Sequence, residues 1–308
     1  MRIRRVLAAA SPIGVATLQV EDGGTWREAH ADEVAEWAWL PAPMADAMPH
    51  GLKPGALALP FQPRSFRDCS LYEQHWVQSS RGYVRRFMPA AYRFTSLYER
   101  LTGRTFPAFK PHPLAYRQPV YYFGNHLSFM PSGQAFVPPA YTRALDYELE
   151  LGVVLARPLR NASADDALAA IGGVVVVNDW SARDVQRAEM ATGLGPQKCK
   201  HFASSMSGEL ARATEVLPRI EALEAVVEIN GRVVARTSTK GMLHHWGDTL
   251  AALSRDETLL PGELIASGTL PHGTAMENGH WPQAGDRLRL CIDGVGEITH
   301  EILKEARA

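Results

Sequence analysis

The chain has 308 residues, 46% of them hydrophobic, which is enough to bury the core of one large domain with an appendage, or of two domains. Its 32 basic and 33 acidic side chains give a net charge of −1, which argues against a nucleic-acid binder that works through bulk positive charge. No apolar run approaches the roughly 20 residues that cross a bilayer. We therefore expect neither a nucleic acid nor a membrane as a partner.

The three cysteines, Cys69, Cys199 and Cys291, are odd in number and widely spaced. They form neither a zinc-binding pattern nor a disulfide framework. A reducing cytoplasm is therefore the expected location.

The first part of the chain differs from the rest. Residues 3–7 and 15–19 predict an N-terminal hairpin, and residues 31–39 predict a helix. A passage rich in Pro and Gly follows, as is typical of a linker or an extended cover. We predict a small N-terminal domain with its linker over residues 1–62 and a larger domain over residues 63–308.

Farther along, helical spacing alternates with strand-like runs. The predicted elements are a helix at 71–80, irregular structure at 87–118, strands at 120–123 and 147–155, a helix at 164–171, a strand at 174–177, a hairpin at 225–237, and strands at 287–292 and 296–302. The hairpin is marked by Asn230-Gly231, because this pair permits the positive φ angles of a two-residue turn. The pattern predicts an α+β fold that is mostly β.

Two glutamates share one face of the strand predicted at 147–155. Side chains two positions apart in a strand point the same way, so Glu148 and Glu150 project together. Burying them without a partner costs several kcal/mol or forces protonation. A divalent cation removes this cost, and carboxylate oxygens suit Mg²⁺, with Mn²⁺ or Ca²⁺ as alternatives. An edge strand with two solvated glutamates fits the same pattern.

A further acidic residue, Asp179, follows the buried run of valines. The end of a buried strand is a frequent place for binding chemistry. If a helix begins here, Asp179, Arg183 and Gln186 share one face, and that face offers a carboxylate, a cation and an amide. An ordinary helix start, capped by Asp179, is the alternative.

Four motifs in one order resemble the fumarylacetoacetate hydrolase family. They are LDYELELGVV at 145–154, VNDWSARDVQ at 177–186, LGPQKCKHF at 194–202 and LPGELIASGT at 260–269. The resemblance covers about residues 65–308, and four spaced motifs together are far more specific than any one. It implies a catalytic domain built on a rolled mixed β-sheet, a smaller N-terminal domain, and assembly as a homodimer.

The resemblance also implies site residues. The implied metal ligands are Glu148, Glu150, Asp179 and Asp68. The implied catalytic residues are His75, which follows Asp68 at the family's spacing of seven, its partner Glu277, and Lys200. The implied substrate contacts are Arg183, Gln186, Thr269 and His126. Met190 stands where the longest members have a substrate-contacting tyrosine, so the substrate is left open.

The implied reaction is metal-dependent hydrolysis of a carbon–carbon bond in a small 1,3-diketone or acylpyruvate. Decarboxylation of a β-keto acid, or keto–enol isomerisation or hydration, uses the same metal and enolate chemistry and is the nearest alternative. A non-catalytic binding protein on this scaffold is disfavoured, because the metal carboxylates, His75 and Lys200 are all retained.

Overall fold

The buried strand predicted from consecutive valines lies inside the largest sheet. Val174 and Val176 pack into one hydrophobic core cluster, whereas Val175 and Val177 pack into a second cluster. Both faces of this strand are therefore covered, which explains its unbroken β-branched sequence. The computed structural model describes residues 1–7, 16–43 and 55–304.

Strands make up most of the regular structure. In chain order they are β1 (Arg2–Leu7), β2 (Ala16–Asp22), β3 (Thr25–Glu28), β4 (Leu57–Ala58), β5 (Phe66–Cys69), β6 (Tyr121–Gly124), β7 (Phe129–Pro131), β8 (Leu145–Asp146), β9 (Glu148–Leu155), β10 (Ile171–Asp179), β11 (Ser181–Ala182), β12 (Ser204–Met206), β13 (Glu209–Arg212), β14 (Glu224–Ile229), β15 (Arg232–Ser238), β16 (Leu264–Thr274), β17 (Arg287–Ile292) and β18 (Gly296–Glu301).

The helices lie between these strands. In chain order they are α1 (Ala31–Glu36), α2 (Glu73–Phe87), α3 (Pro89–Thr102), α4 (Ala164–Ala169), α5 (Arg183–Met190), α6 (Ala213–Val216), α7 (Trp246–Leu253) and α8 (Ala275–Asn278).

Twelve strands join one open sheet, with the main order β3-β2-β1-β13-β10-β9-β16-β5-β6. In this sheet β5 runs parallel to β16 and β7 runs parallel to β12, whereas β9 is antiparallel to both β10 and β16. A second sheet has the order β15-β14-β17-β18. The predicted α+β, mostly β fold class with a mixed sheet is confirmed.

The predicted hairpins are present. β14 pairs with β15 around Asn230 and Gly231, whose φ angles are 54° and 76°. β1 pairs with β2, although the predicted second strand extends to residue 15, which lies outside the described residues. β1 also pairs with β13 and thereby joins the large sheet. The division at residue 62 stays a prediction.

The irregular structure predicted at 87–118 is wrong for residues 89–102, whereas residues 103–118 contain short 3₁₀ turns and no longer element. α3 occupies Pro89–Thr102, a run of 14 residues. Pro89 stands in the first turn, where a missing N–H costs nothing, and Gly103 ends the helix at a φ of 64°. Within the described part of the chain, no helix is long and apolar enough to cross a membrane.

Candidate active site

Three buried carboxylates from two strands converge on one point. Asp68 lies on β5, and Glu148 and Glu150 lie on β9. Each offers one oxygen, and these oxygens all lie within 4.8 Å of one another. β16 pairs with both β5 and β9 and so brings the two strands to the same part of the sheet.

Two of these carboxylates are left incompletely bonded. Asp68 Oδ1 and Glu150 Oε2 are buried and have no hydrogen-bond partner. Burial, reinforced by repulsion from neighbouring carboxylates, raises the pKa of both Asp68 and Glu150. Orphaned carboxylate oxygens aimed at one point fit a hard divalent cation, and Mg²⁺ and Mn²⁺ take such oxygen ligands.

Glu148, in contrast, is bonded to two cationic side chains. Arg183 Nη2 lies 2.6 Å from Glu148 Oε1, and the Lys200 ammonium donates to Glu148 Oε2. Burial disfavours the charge of Glu148, but Arg183 and Lys200 outweigh it and lower the pKa of Glu148 far below its usual range. Glu148 is therefore held as an anion.

Asp179 lies beside this cluster, at the end of β10. Lys200 Nζ and the Tyr122 hydroxyl each donate to Asp179 Oδ2 at 2.5 Å. Burial opposes a charge on Lys200, but Asp179 and Glu148 raise its pKa well above the ordinary value. Asp179 is not one of the three carboxylates within mutual reach of a common point, and its role as a metal ligand stays a prediction.

The helix considered at Asp179 does not form there. Asp179 still pairs with Ser204 across β10 and β12, and β11 intervenes before α5 begins at Arg183. Gln186 does share a helix with Arg183, and Arg183 Nη1 donates to Gln186 Oε1 at 3.0 Å. Strand pairing holds the chain extended for longer than local sequence indicates.

Asp146 was missed as a site residue. It is completely buried and accepts from Arg183 Nε at 2.8 Å and from the Ala275 amide at 2.8 Å. It also accepts from the Thr274 hydroxyl. Asp146 thereby ties Arg183 to the start of α8. The available signal was the alternation of Asp146, Glu148 and Glu150, which extends the acidic face by one step.

A histidine–glutamate pair joins α2 to α8. His75 Nδ1 on α2 lies 2.6 Å from Glu277 Oε1 on α8, and the Glu277 side chain is fully buried. The other oxygen, Oε2, accepts from the His272 amide at 2.7 Å. The carboxylate fixes the proton on Nδ1, which leaves Nε2 free to accept one.

Gly82 allows the two helices of this pair to pack closely. A Cβ added to Gly82 would lie 1.7 Å from the Met276 carbonyl oxygen on α8. No side chain fits at that distance. The approach of α2 to α8, and with it the position of His75 against Glu277, therefore depends on glycine at this point.

The carboxylates open into a cavity of about 490 Å³. Asp68, His75, Glu148, Glu150, Arg183, Gln186, Lys200 and Thr269 all line it. Thr269 Oγ1 lies 3.4 Å from Glu150 Oε1. His126 does not line the cavity; it lies in a 3₁₀ turn after β6, and its carbonyl accepts from Gln62.

Known proteins resemble this chain in sequence. Residues 98–303 match the family model of the fumarylacetoacetate (FAA) hydrolase C-terminal domain. The chain is 28% identical over 187 residues to the oxaloacetate tautomerase FAHD1, mitochondrial, of Homo sapiens, which covers 61% of this chain and 82% of the relative.

Two solved structures share the fold. The fumarylacetoacetate hydrolase of psychrophilic Exiguobacterium antarcticum matches 100% of both chains with a TM-score of 0.70 and 21% identity. The fumarylpyruvate hydrolase of Pseudomonas aeruginosa, in complex with Mn²⁺ and pyruvate, matches 84% of this chain and 95% of its own with a TM-score of 0.59 and 19% identity. Since the family model spans more than half of the chain, the protein belongs to the fumarylacetoacetate hydrolase family.

Proposed function

We propose that this protein is a metal-dependent hydrolase that cleaves a carbon–carbon bond in an acylpyruvate or a related 1,3-dicarbonyl acid. The observation that carries the proposal is the His75–Glu277 pair: the two side chains are 2.6 Å apart, and His75 lines the same cavity as the carboxylates Asp68, Glu148 and Glu150. A base and a cation site in one cavity serve water activation and enolate formation together.

The carboxylates provide the cation site. Asp68, Glu148 and Glu150 would hold a divalent cation, which would supply positive charge to stabilise negative charge on the substrate oxygens. We propose Mg²⁺ because it takes carboxylate oxygens as ligands. Mn²⁺ is the alternative, since the Pseudomonas aeruginosa enzyme of the same fold has been crystallised with Mn²⁺ and pyruvate. Lys200 and Arg183 keep Glu148 ionised, so this ligand is ready at neutral pH.

His75 acts on water. Its Nε2 takes a proton from a water molecule, while Glu277 holds the Nδ1 proton and stabilises the resulting imidazolium. The hydroxide adds to the acyl carbonyl, the bond between that carbon and the methylene carbon breaks, and the electron pair stays on the methylene carbon as an enolate. Protonation there gives pyruvate, and the acyl group leaves as a carboxylate.

Keto–enol tautomerisation is the second candidate, and the identity to an oxaloacetate tautomerase favours it. In that reaction His75 removes a proton from the methylene carbon, and no carbon–carbon bond breaks. Decarboxylation of a β-keto acid uses the same enolate and releases carbon dioxide.

One experiment separates these reactions. The Mg²⁺-loaded protein is given acetylpyruvate, benzoylpyruvate and oxaloacetate in turn, with and without chelator, and the products are identified. Hydrolysis gives pyruvate and a second carboxylic acid in equal amounts, only with metal. Loss of enol absorbance without pyruvate supports the tautomerase, and carbon dioxide from oxaloacetate supports the decarboxylase.

His75→Ala should lower the rate by about 10² to 10⁴, the usual contribution of a general base, and should leave stabilisation by metal unchanged. His245→Ala is the matched control, because the exposed His245 pairs with Glu221 and does not line the cavity. Full turnover by the His75 variant would remove this residue from the reaction.

A homodimer and a cytoplasmic location also stay proposals. Sedimentation of the purified protein tests the first. The second is supported by three cysteines that are all free, whereas the human relative is named as mitochondrial; fractionation of the source cells decides between the compartments.

A further inference from the structure

One face of α2 forms a wall of the cavity. The wall runs outward from the end at which the carboxylates lie, which we call the reactive end. The lining residues of α2 follow the spacing of a single helical face and are His75, Trp76, Ser79, Ser80 and Tyr83. His75 lies at the reactive end. Tyr83 is eight residues farther along, which corresponds to about 12 Å of helix. This wall changes from an ionisable group to an aromatic ring.

α5 forms a second wall with the same change. Its lining residues are Arg183, Gln186 and Met190, again one helical face. Arg183 is bonded to Glu148 at the reactive end, and Met190 is about 10 Å farther along the helix axis. The second wall changes from a cation to a thioether.

The outer turns of these two helices lie next to each other. The Arg187 guanidinium on α5 lies 5.9 Å from the centroid of the Tyr83 ring and donates to Met88 Sδ, just after α2, at 3.0 Å. Tyr83 and Met190 therefore bound the same outer part of the cavity.

This outer part offers apolar contacts, and the neighbouring Arg187 is not among the residues that line it. The apolar and aromatic side chains that line the whole cavity are Cys69, Trp76, Tyr83, Val120, Tyr121, Tyr122, Met190, Pro196 and Met276. Among the described residues that line it, the cationic ones are Arg183 and Lys200. Both are bonded to carboxylates at the reactive end. A negatively charged group in the outer part would therefore gain no ion pair with a lining residue, whereas an apolar group would gain contacts with Tyr83 and Met190.

We infer that the outer part of the cavity binds an uncharged, bulky apolar substituent of the substrate, such as an aryl ring on the acyl side, with Tyr83 and Met190 as the residues that select it. The inference rests on the proposed function, because that reaction places a small dicarbonyl acid at the carboxylates. It narrows the substrate to acylpyruvates with an apolar acyl group and disfavours small or dicarboxylic ones. The cavity of about 490 Å³ has room for both parts of such a molecule.

The test compares three ligands with one dicarbonyl head: acetylpyruvate, benzoylpyruvate and succinylpyruvate. Binding to the Mg²⁺-loaded His75→Ala protein is measured by calorimetry, and kcat/KM is measured on the Mg²⁺-loaded wild type. Benzoylpyruvate should bind at least about tenfold more tightly than the other two, because its ring is removed from water.

Met190→Lys in the same background supplies the specificity test. It places a cation in the outer part, so binding of benzoylpyruvate should weaken about tenfold and binding of succinylpyruvate should strengthen. Met190 is 50% exposed, and the lysine is accommodated without repacking the core. Leu194→Lys is the matched control: Leu194 is 81% exposed and does not line the cavity, so the ligand order should not change.

The inference would be overturned if the His75→Ala protein, with Met190 unchanged, bound acetylpyruvate or succinylpyruvate as tightly as benzoylpyruvate or more tightly. It would also be overturned if Met190→Lys left the order of the three affinities unchanged. Tighter binding of succinylpyruvate would point to the neighbouring Arg187 as its partner. Tight, Met190-dependent binding of benzoylpyruvate without conversion by the wild type would support the inference and overturn the proposed hydrolysis.

Discussion

Glu148 and Glu150 are two positions apart on β9 and both are buried, yet their surroundings are opposite. Glu148 belongs to a cation-paired half of the site, with Asp146, Asp179, Arg183 and Lys200. Glu150 belongs to an unpaired half with Asp68, where buried oxygens have no partner. Accordingly, the pKa of Glu148 is lowered and that of Glu150 is raised.

The difference shows how one strand can carry two candidate metal ligands, one that protein cations already hold ionised and one that has no such partner. In the paired half, Arg183 and Lys200 already compensate the carboxylates, so Glu148 is ionised before any metal ion binds. In the unpaired half, burial and mutual repulsion raise the pKa of Asp68 and Glu150, so their ionised form is favoured only when a cation compensates it. The unpaired half is therefore the part of the cluster that depends most on a bound cation.

Removing a cation should damage the paired half most. Arg183→Met leaves Asp146 and Glu148 buried without that partner, so we expect the free energy of unfolding to fall by about 3–5 kcal/mol, measured by urea denaturation in chelator. Arg160→Met is the control, since its pair with Asp256 is exposed and long at 3.8 Å, and should cost under about 1 kcal/mol. Equal stabilities would contradict the distinction between the halves.

Removing a carboxylate charge from the unpaired half should reduce stabilisation by metal. The wild type should gain about 2.7 kcal/mol of stability at Mg²⁺ or Mn²⁺ concentrations 100-fold above Kd, and Glu150→Gln should lose most of this gain. Thermal unfolding with and without metal measures it. Glu224→Gln, at an exposed position on β14, is the control and should keep the full shift.

The same variant should show a pH dependence in metal-free protein. A carboxyl whose pKa is raised on folding holds its proton in the folded state, so its contribution to stability is present below about pH 4.3 and is lost as the pH rises through the folded pKa. Glu150→Gln lacks this loss. Its stability relative to the wild type should therefore increase with pH, and a constant difference would contradict the raised pKa of Glu150.

A change at Gly82 should leave both halves intact and misplace the base. Gly82→Ala pushes α2 away from the Met276 carbonyl, so we expect a loss of about 1–3 kcal/mol in stability and roughly 10²-fold in turnover, with the metal-induced shift retained. Gln78→Ala, on the same helix and outside the cavity lining, should keep its activity. Normal turnover by Gly82→Ala would show that the helix contact does not position His75.

Local pattern was sufficient for the parts of the site that lie within one strand. The period of two in β9 placed Glu148 and Glu150 on one face, and the valine run located β10. Asp68 and His75 were accessible through the family resemblance, since nothing in their neighbourhood marks them as partners of residues far along the chain.

Other parts depend on long-range pairing, which local sequence does not contain. Asp146 acquires its role by bonding Arg183 and α8, and Tyr122 by donating to Asp179 from β6. α3 was missed because its aromatic residues and neighbouring prolines favour irregular structure, although Pro89 suits a first turn. Asp179 was considered as a helix start because the pairing of β10 with β12 cannot be seen from residues 179–186.

The parallel pairing of β5 with β16 also determines when the site can form. Ser65 and Glu263, bonded at the start of these strands, are 198 positions apart, and His75 and Glu277 are 202 apart. Contacts between such distant residues form slowly, because a long loop must close first. During synthesis, Asp68 and His75 emerge early, but β16 and Glu277, with which they assemble, emerge only when nearly the whole chain has been made. Metal binding should therefore be among the last properties to appear on the ribosome.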